Sequence, residues 1–340
     1  MILGLDIGGT KVKAGIVEAA PAGPSDTILL SETIPTPRAE PAAFYDAIAD
    51  LVRRLRSRAE GSERSLVPLI TVAHPGRFRP DGTLARGTTP NLGLSPGQFD
   101  SLSPAEELSR RLGCRVFVEN DAIAQMRYGL VLLLRDPPAR PHLLGERVIY
   151  LGPGTGFGGG VARVSRSGEI HPVTDGHFFD LHIPGYGDGT LTAEELLTGP
   201  AIAREFAPAD APQLDRLLSR PGDPSPERVR AEQIAAELGG RLALLIETIR
   251  AGRIVKVPDE PDRAWPEADR AMVRGVKRVL LGGSVGCSVG LGGSLRAHAL
   301  ERLRERGAAE VMIFQSQAGS ADAGLLGAIY GLPRRWLTDE

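Results

Sequence analysis

Two places in the sequence constrain the fold more than any other: at each, a short apolar run meets a cluster of glycines and then resumes as a strand. Near the start, Ile2 to Asp6 leads into Gly8-Gly9-Thr10, after which Val12, Ala14 and Ile16 alternate with Lys11, Lys13 and Gly15. That is the period of a half-buried strand, so the segment reads as strand, tight turn, strand. Far downstream, Arg147 to Leu151 runs into glycines between Gly152 and Gly160 and out through Val161 and Arg163. The same layout in two separate halves predicts a duplicated α/β architecture. At 340 residues the chain has length for two domains, each with its own core.

Between these units the pattern alternates in type. Pro41 to Arg58 puts Phe44, Ile48, Leu51, Val52 and Leu55 on one helical face and arginines on the other, so it should cover a sheet. Leu69 to Ala73 is a strand closed by Pro75-Gly76, and Arg79 to Gly97 is a turn-rich loop. A helix over Pro104 to Leu112 leads to strand Arg115 to Val118, which stops at Glu119-Asn120-Asp121, where a helical pattern opens through Met126. Helical patterns return at Thr192 to Phe206 and Pro226 to Arg250, with a surface linker at Pro221 to Pro226. The charged, proline-bearing stretch 251–275 reads as an insertion, and Val276 to Leu281 is a strand ending in Gly282-Gly283-Ser284. A last helix, near Gly319 to Tyr330, is rich in small residues and should pack closely. The expected domains are 1–121, with the helix of 319–335 packing back on it, and 122–318.

Three motifs can carry chemistry. Asp6-Ile7-Gly8-Gly9-Thr10-Lys11 offers a carboxylate at a strand end, glycine N–H groups open to phosphate oxygens, a hydroxyl and a cation, a set suited to a metal-phosphate. It is not a P-loop, whose spacing is absent, and a plain Gly-Gly hairpin is the competing reading. Gly154-Thr155-Gly156-Phe157-Gly158-Gly159-Gly160 contains G-x-G-x-x-G after a strand, but Val161 and Val164 follow, where a dinucleotide fingerprint would open a helix. A phosphate-facing hairpin is expected instead. In Glu119-Asn120-Asp121, Asp121 can cap the helix, or accept the proton of an alcohol while Asn120 bonds a neighbouring hydroxyl, and the two roles are compatible. Gly282-Gly283-Ser284 either lies against a nucleotide or punctuates a strand-to-helix turn.

In their order along the chain, these motifs with Pro90-Asn91-Leu92, Leu196-Leu197-Thr198-Gly199-Pro200-Ala201-Ile202 and Leu325-Leu326-Gly327-Ala328 resemble the ROK family of sugar kinases and related repressors, over nearly the whole length. The resemblance implies a two-domain actin/hexokinase-like fold, ribonuclease H-like and duplicated, with a central interdomain cleft that takes ATP and Mg²⁺ on one side and sugar on the other. It implies Asp6 holding hydrated Mg²⁺, Gly8, Gly9, Thr10 and Lys11 with Gly154, Thr155 and Gly156 holding phosphates, and Gly282 and Gly283 beside the nucleoside. Asp121 matches the family's catalytic base, while Asn91, Asn120 and Glu195 match positions that bind sugar hydroxyls. His177 matches the family histidine through its Gly176-His177 context, with Asp175 or Glu169 standing for the glutamate that usually precedes it. The family's cysteine-rich zinc loop has no counterpart, because no cysteine lies between Cys114 and Cys287, so no structural zinc is expected. The segment Phe178 to Gly189, in its place, should alter recognition of the sugar's far side. A homodimer is the family's usual state.

Composition narrows the function. Forty Lys+Arg against 42 Asp+Glu give a formal charge of -2, no field for nucleic acid, and two cysteines suit a reducing, cytoplasmic setting. The first residues lack the basic start and apolar run of a signal peptide, and no apolar run is long enough to span a membrane. The expectation is an ATP:sugar phosphotransferase acting on a hexose or hexose-like polyol, with an amino sugar, ketose or cyclitol as other acceptors and polyphosphate as another donor. A non-catalytic sugar sensor or nucleotide-binding protein is the reading from another class. Asp6, Lys11 and Asp121 together weigh against it, as does a phosphate turn that opens at Asp6.

Overall fold

The computed structural model describes residues 1–20, 23–60, 66–173, 178, 181–186, 191–220, 222, 224–253, 267–318 and 322–333. Its strands are β1 (Ile2–Ile7), β2 (Lys11–Ala20), β3 (Gly23–Pro35), β4 (Leu69–His74), β5 (Arg115–Asn120), β6 (Arg147–Pro153), β7 (Phe157–Val164), β8 (Ile170–Pro172), β9 (Arg278–Leu281) and β10 (Met312–Gln315). Its helices are α1 (Pro41–Ala59), α2 (Pro104–Leu112), α3 (Asp121–Arg135), α4 (Ala193–Leu197), α5 (Gly199–Glu205), α6 (Ala211–Leu218), α7 (Pro226–Arg250), α8 (Glu267–Val273), α9 (Gly283–Gly286), α10 (Leu291–Glu305) and α11 (Ala323–Tyr330). They gather into two compact units, Met1–Tyr128 with the C-terminal segment that carries α11, and Gly129–Ser320, so the division falls inside α3.

Each unit is built on one five-stranded sheet, ordered β3-β2-β1-β4-β5 in the first and β10-β9-β6-β7-β8 in the second. Read from its other edge, the second order becomes β8-β7-β6-β9-β10, and the strand directions agree as well. In both, an antiparallel hairpin (β1 with β2, β6 with β7) is followed by parallel strands, β4 and β5 or β9 and β10. The duplication expected from the glycine units is thus present at the level of whole sheets.

In the first unit α1 buries Phe44, Ile48, Leu51, Val52 and Leu55 against Leu5, Val12 and Ile70 of the sheet. The burial of that stripe, not helix propensity, supplies most of such a helix's stability. Gly4 and Gly15 face each other in register across β1 and β2, and a Cβ on either would lie 2.9 Å from Ile329 or Leu325. These glycines let α11 settle onto the sheet. In the second unit the long α7 buries Ile234, Leu238, Leu242 and Ile249 in a core shared with Ile149, Leu151 and Val279.

Three expectations are corrected. The helix that opens at Asp121 runs to Arg135, well beyond Met126, because Leu130 and Leu133 continue its buried stripe. The helical pattern expected over Thr192 to Phe206 is carried by two helices, broken at Thr198. Its extended backbone lets the hydroxyl donate to Glu194 O at 2.7 Å and accept from Ala201 N at 3.4 Å, capping α5 as it ends α4. The charged insertion contains α8, while residues 254–266 lie outside those described. Among the described residues no helix is long and apolar enough to cross a membrane.

Candidate active site

Parallel strands collect functional groups at their carboxyl ends, where backbone gives way to loop. In the first unit β1 ends at Asp6-Ile7, β4 at His74 and β5 at Asn120, with Asp6 aligned with Ala73 and His74 with Asn120. Asp6 is partly buried, and burial pushes its carboxyl up to about 7, helped by the charge of Asp121, while Lys11 and Lys13 oppose the rise and Asp322 adds to it. The start of α11 crowds it, since a Cβ on Gly324 would meet the Asp6 carboxylate oxygens at 2.5 Å and 2.7 Å. Lys13 is itself bonded to Asp322. Asp6, Asp121 and Asp322 against Lys11 and Lys13 leave one negative charge in excess around a partly buried carboxylate, an environment that suits a hydrated divalent cation at Asp6.

The glycine turn after β1 is anchored through its carbonyls. Thr36 donates its hydroxyl to Gly8 O at 2.6 Å and its N–H to Thr10 O at 3.0 Å, and Arg38 donates to Gly9 O at 3.0 Å. A trans peptide points its C=O and the next N–H in opposite directions, so the N–H groups of Gly9 and Thr10 face away from these anchors. With the exposed side chains of Thr10 and Lys11, these N–H groups are the donors that the turn offers an anionic oxygen. Arg38 also donates to Asn91 O at 2.8 Å, tying the expected sugar-site residue to the phosphate turn. Nothing in the local sequence marks Arg38, because its partners are backbone carbonyls far away in the chain.

Asn120 is the cap of α3. Its Oδ1 accepts from Ala122 N at 3.0 Å and Ile123 N at 3.1 Å, and its Nδ2 donates to Gly76 O at 2.8 Å. Asp121 follows as the first helical residue, with Oδ1 accepting from Ala122 N at 2.8 Å. Burial raises its carboxyl to about 6, against the lowering pull of the Ala122 and Asp121 N–H groups. Glu119 points elsewhere and pairs with Arg127, Oε1 to Nη2 2.5 Å, in a mostly buried salt bridge. Beneath the loop, buried His74 is held neutral, its pKa pushed down to about 4 by desolvation. A carbonyl can only accept, so His74 Nδ1 carries the hydrogen toward Pro75 O at 2.6 Å, and Nε2 accepts from Tyr45 OH at 3.2 Å. Tyr45, His74, Pro75-Gly76 and Asn120 thus form a chain of supports ending beside Asp121.

In the second unit the Gly154-to-Gly160 segment is the tip and descending strand of the β6–β7 hairpin, not a helix start. Gly154 N donates to Gly156 O at 2.9 Å, closing the turn, and Gly199 N donates to Gly154 O at 2.8 Å, while Thr155 is exposed. Gly283 has φ +68, and a Cβ there would lie 2.3 Å from Pro153 O. Only glycine can occupy that close crossing of the Gly282-Gly283 turn over the hairpin.

The two adjacent glutamates of α4 part company. Glu195 is spent locally: its Oε2 accepts from Thr192 N at 3.0 Å and from Thr192 Oγ1 at 2.9 Å, a capping box on the surface. Glu194 turns inward. Its Oε2 accepts from Phe157 N at 3.2 Å and stands 3.5 Å from where a Gly156 Cβ would be, and burial raises its carboxyl above the usual range. Glu194 is the functional candidate that the sequence reading passes over in favour of its neighbour. Glu169 lies on an exposed turn, 3.7 Å from His171 Nε2. Asp175 and His177 lie outside the described residues.

Comparison with known proteins follows the same lines. The model described as ROK family matches residues 2–166. A glucokinase of Streptomyces coelicolor is 28% identical over 249 residues, which cover 69% of this chain and 68% of that protein. The crystal structure of a ROK hexokinase from Thermus thermophilus matches with a TM-score of 0.60 at 24% identity, covering 97% of this chain and 96% of that one. A ROK family glucokinase from Streptomyces griseus, in complex with glucose and AMPPNP, matches with a TM-score of 0.56 at 20% identity over 96% of this chain and 97% of that one. These structural likenesses show a shared actin/hexokinase-like fold.

Proposed function

We propose that the chain is a ROK-family, ATP-dependent sugar kinase that transfers the γ-phosphoryl group to a hydroxyl of a hexose or hexose-like acceptor. The observation that carries the reading is the end of the first sheet, where a carboxylate raised to about 6 stands beside a second raised to about 7 and close in sequence to an anchored glycine turn. Asp121 orients the acceptor hydroxyl and takes its proton, a role that suits a carboxyl poised just below neutral pH. The N–H groups of Gly9 and Thr10 and the ammonium of Lys11 are placed to stabilise the negative charge spread over a phosphoryl group in transfer. Mg²⁺ held through water at Asp6 would neutralise phosphate charge. Gly154 to Gly156 are assigned to phosphate, Gly282 and Gly283 to the nucleoside, and Asn91, Asn120 and Glu194 to sugar hydroxyls. A homodimer in the cytoplasm, where ATP is abundant, completes the reading, and light scattering on the purified protein checks the dimer.

The test is an ADP-release assay with Mg-ATP against hexoses, N-acetyl hexosamines, ketoses and cyclitols, with a polyphosphate arm for the donor. Turnover on one acceptor is expected, and its absence on every acceptor and donor sinks the reading. Glu194 and Glu195 separate cleanly in the same assay. Glu194→Gln should raise the sugar KM by about tenfold or more, the usual effect of losing a hydrogen bond to a charged group. Glu195→Gln should leave KM within about threefold and cost about 1 kcal/mol of stability through the weakened cap. Equal KM values for the two variants would refute the assignment of Glu194.

Asp6 gives a check that needs no turnover. Its carboxyl titrates near 7 in the folded chain against an ordinary 3.8, so between those values the folded state binds the proton more tightly than the unfolded one. Stability is therefore lost as pH rises across that window, by roughly 4 kcal/mol for about three units. Asp6→Asn should raise the Tm of the ligand-free protein at pH 8 and abolish the further rise that Mg-ATP gives the wild type. An unchanged Mg-ATP shift in the variant would remove Asp6 from the metal site.

A further inference from the structure

The most completely buried charged side chain described in the second unit is not used by the chemistry above. Arg241, from the middle of α7, has a side chain only 1% exposed. Its Nη1 donates to Leu196 O at 3.2 Å and to Glu205 Oε2 at 2.6 Å. Its Nη2 donates to Glu237 Oε1 at 2.5 Å and also reaches Glu205 Oε1. The guanidinium carbon stands 4.9 Å from the ring centre of Tyr186 and 5.5 Å from that of Phe206. One cation thus gathers four segments: the loop that carries Tyr186, the end of α4, the end of α5 and α7 itself.

Arg241 is an expensive way to fill a core. A guanidinium taken from water must recover its hydration from partners, and apolar residues of similar volume often serve stability as well or better. Here the recovery is incomplete, because Arg241 Nε has no hydrogen-bond partner among the described residues. What the guanidinium supplies that an apolar side chain cannot is a fork of directed donors and a flat face for two rings. Those contacts end on the element that carries the candidate sugar group. Leu196 is two residues from Glu194, which reaches Phe157 N. Tyr186 belongs to the segment 178–189 that stands where the resemblance leads one to expect a cysteine loop.

We propose that Arg241 is the positioning residue of the sugar-recognition side of the site, a buried cation that clamps the Tyr186 loop and the α4–α5 corner so that Glu194 meets the acceptor in one orientation. The proposal rests on the sugar-kinase reading for its substrate, and on this unit's own geometry for the clamp. Glu205 and Glu237 are partly exposed and can be rehydrated when the cation is removed, so Arg241→Met should still fold.

The test compares wild type, Arg241→Lys, Arg241→Met and the milder Tyr186→Leu in three measurements: sugar KM, ATP KM with kcat, and hydrogen exchange along the chain. The sugar KM should rise by about tenfold or more in both Arg241 variants and less in Tyr186→Leu, with the ATP KM unchanged. Amides of 181–186 and 191–199 should exchange faster while those of α1 keep wild-type protection. A residue that merely stabilised the fold would lower the active fraction, and so kcat, and leave KM alone. Wild-type sugar KM in the variants, or sugar and ATP KM rising together, overturns the proposal. Should Arg241→Met fail to fold, Arg241→Lys and Tyr186→Leu decide by the same criteria. If the wild type turns over no sugar, the kinase reading fails separately. The clamp then stands or falls on exchange alone, with unchanged protection of 181–186 and 191–199 overturning it.

Discussion

Asp121→Asn protein is expected to lose between about 10²- and 10⁴-fold in turnover, the range that a positioned general base contributes, while sugar and ATP KM stay within a few-fold of wild type. Asparagine keeps the carbonyl oxygen that accepts from Ala122 N, and the cap on Ile123 N belongs to Asn120, so α3 has no reason to move. What is lost is a carboxylate able to take a proton. The pH profile adds a second readout. Burial sets the Asp121 carboxyl at about 6 and that of Asp6 at about 7. Both act deprotonated, so wild-type kcat/KM should fall as pH drops through 7 and 6, and the limb owed to Asp121 should be missing from the residual rate of the variant. The ligand-free variant should also be more stable than wild type at pH 8, because a buried charge has been replaced by a neutral amide. A coupled assay from pH 5 to 9 with parallel thermal melts reads all three. An Asp121→Asn enzyme that works at the wild-type rate would show that the proton goes elsewhere.

The parts legible in the sequence are those where a local pattern coincides with a tertiary need. Strand, glycine turn, strand was readable twice because an apolar run and a turn former lie side by side, and α1 because its stripe has a clean helical period. Asp6 and Asp121 could be placed as candidates because Asp6 lies in the last residues of β1 and Asp121 directly follows β5. Illegible elements take their structure from distant partners. The edge strand β3 mixes Ser31, Glu32 and Thr33 with an exposed Leu29, so no burial pattern announces it. The start of α10 is Leu291-Gly292-Gly293, poor helix material, yet a Cβ on Gly292 would lie 2.4 Å from Gly286 O, and close packing there overrides propensity. Glu194 and Glu195 differ by one step around a helix too short to show a periodic face. Which one turns inward depends on the β6–β7 hairpin, formed some forty residues earlier. Arg38 and Arg241 act on carbonyls, rings and carboxylates that no spacing rule links to them.

The other large effect expected lies in packing and not in chemistry, at Gly327→Val. Gly327 sits in α11 where a Cβ would fall 1.8 Å from Ala124 O and 2.3 Å from Ala124 C of α3. The obstacle is backbone, not a side chain that can change rotamer, and the neighbours Ala73, Ala124 and Ala328 are small and fully buried. Overpacking of an adaptable core costs about 1–3 kcal/mol, and a clash that must drive two helices apart exceeds it. The Tm should therefore drop by more than about 10 °C, at 2–4 °C per kcal/mol for a domain of this size. Activity should fall further than the folded fraction, because α3 begins at Asp121 and the start of α11 crowds Asp6, so separating the helices shifts both carboxylates. Gly240→Ala is the matched control. It lies within α7 with open space where its Cβ would go, and alanine there should add about 0.5–1 kcal/mol. Were Gly327→Val to melt within about 2 °C of wild type with its turnover intact, α11 would not be held against α3 as described, and the crowding that raises the pKa of Asp6 would need another source.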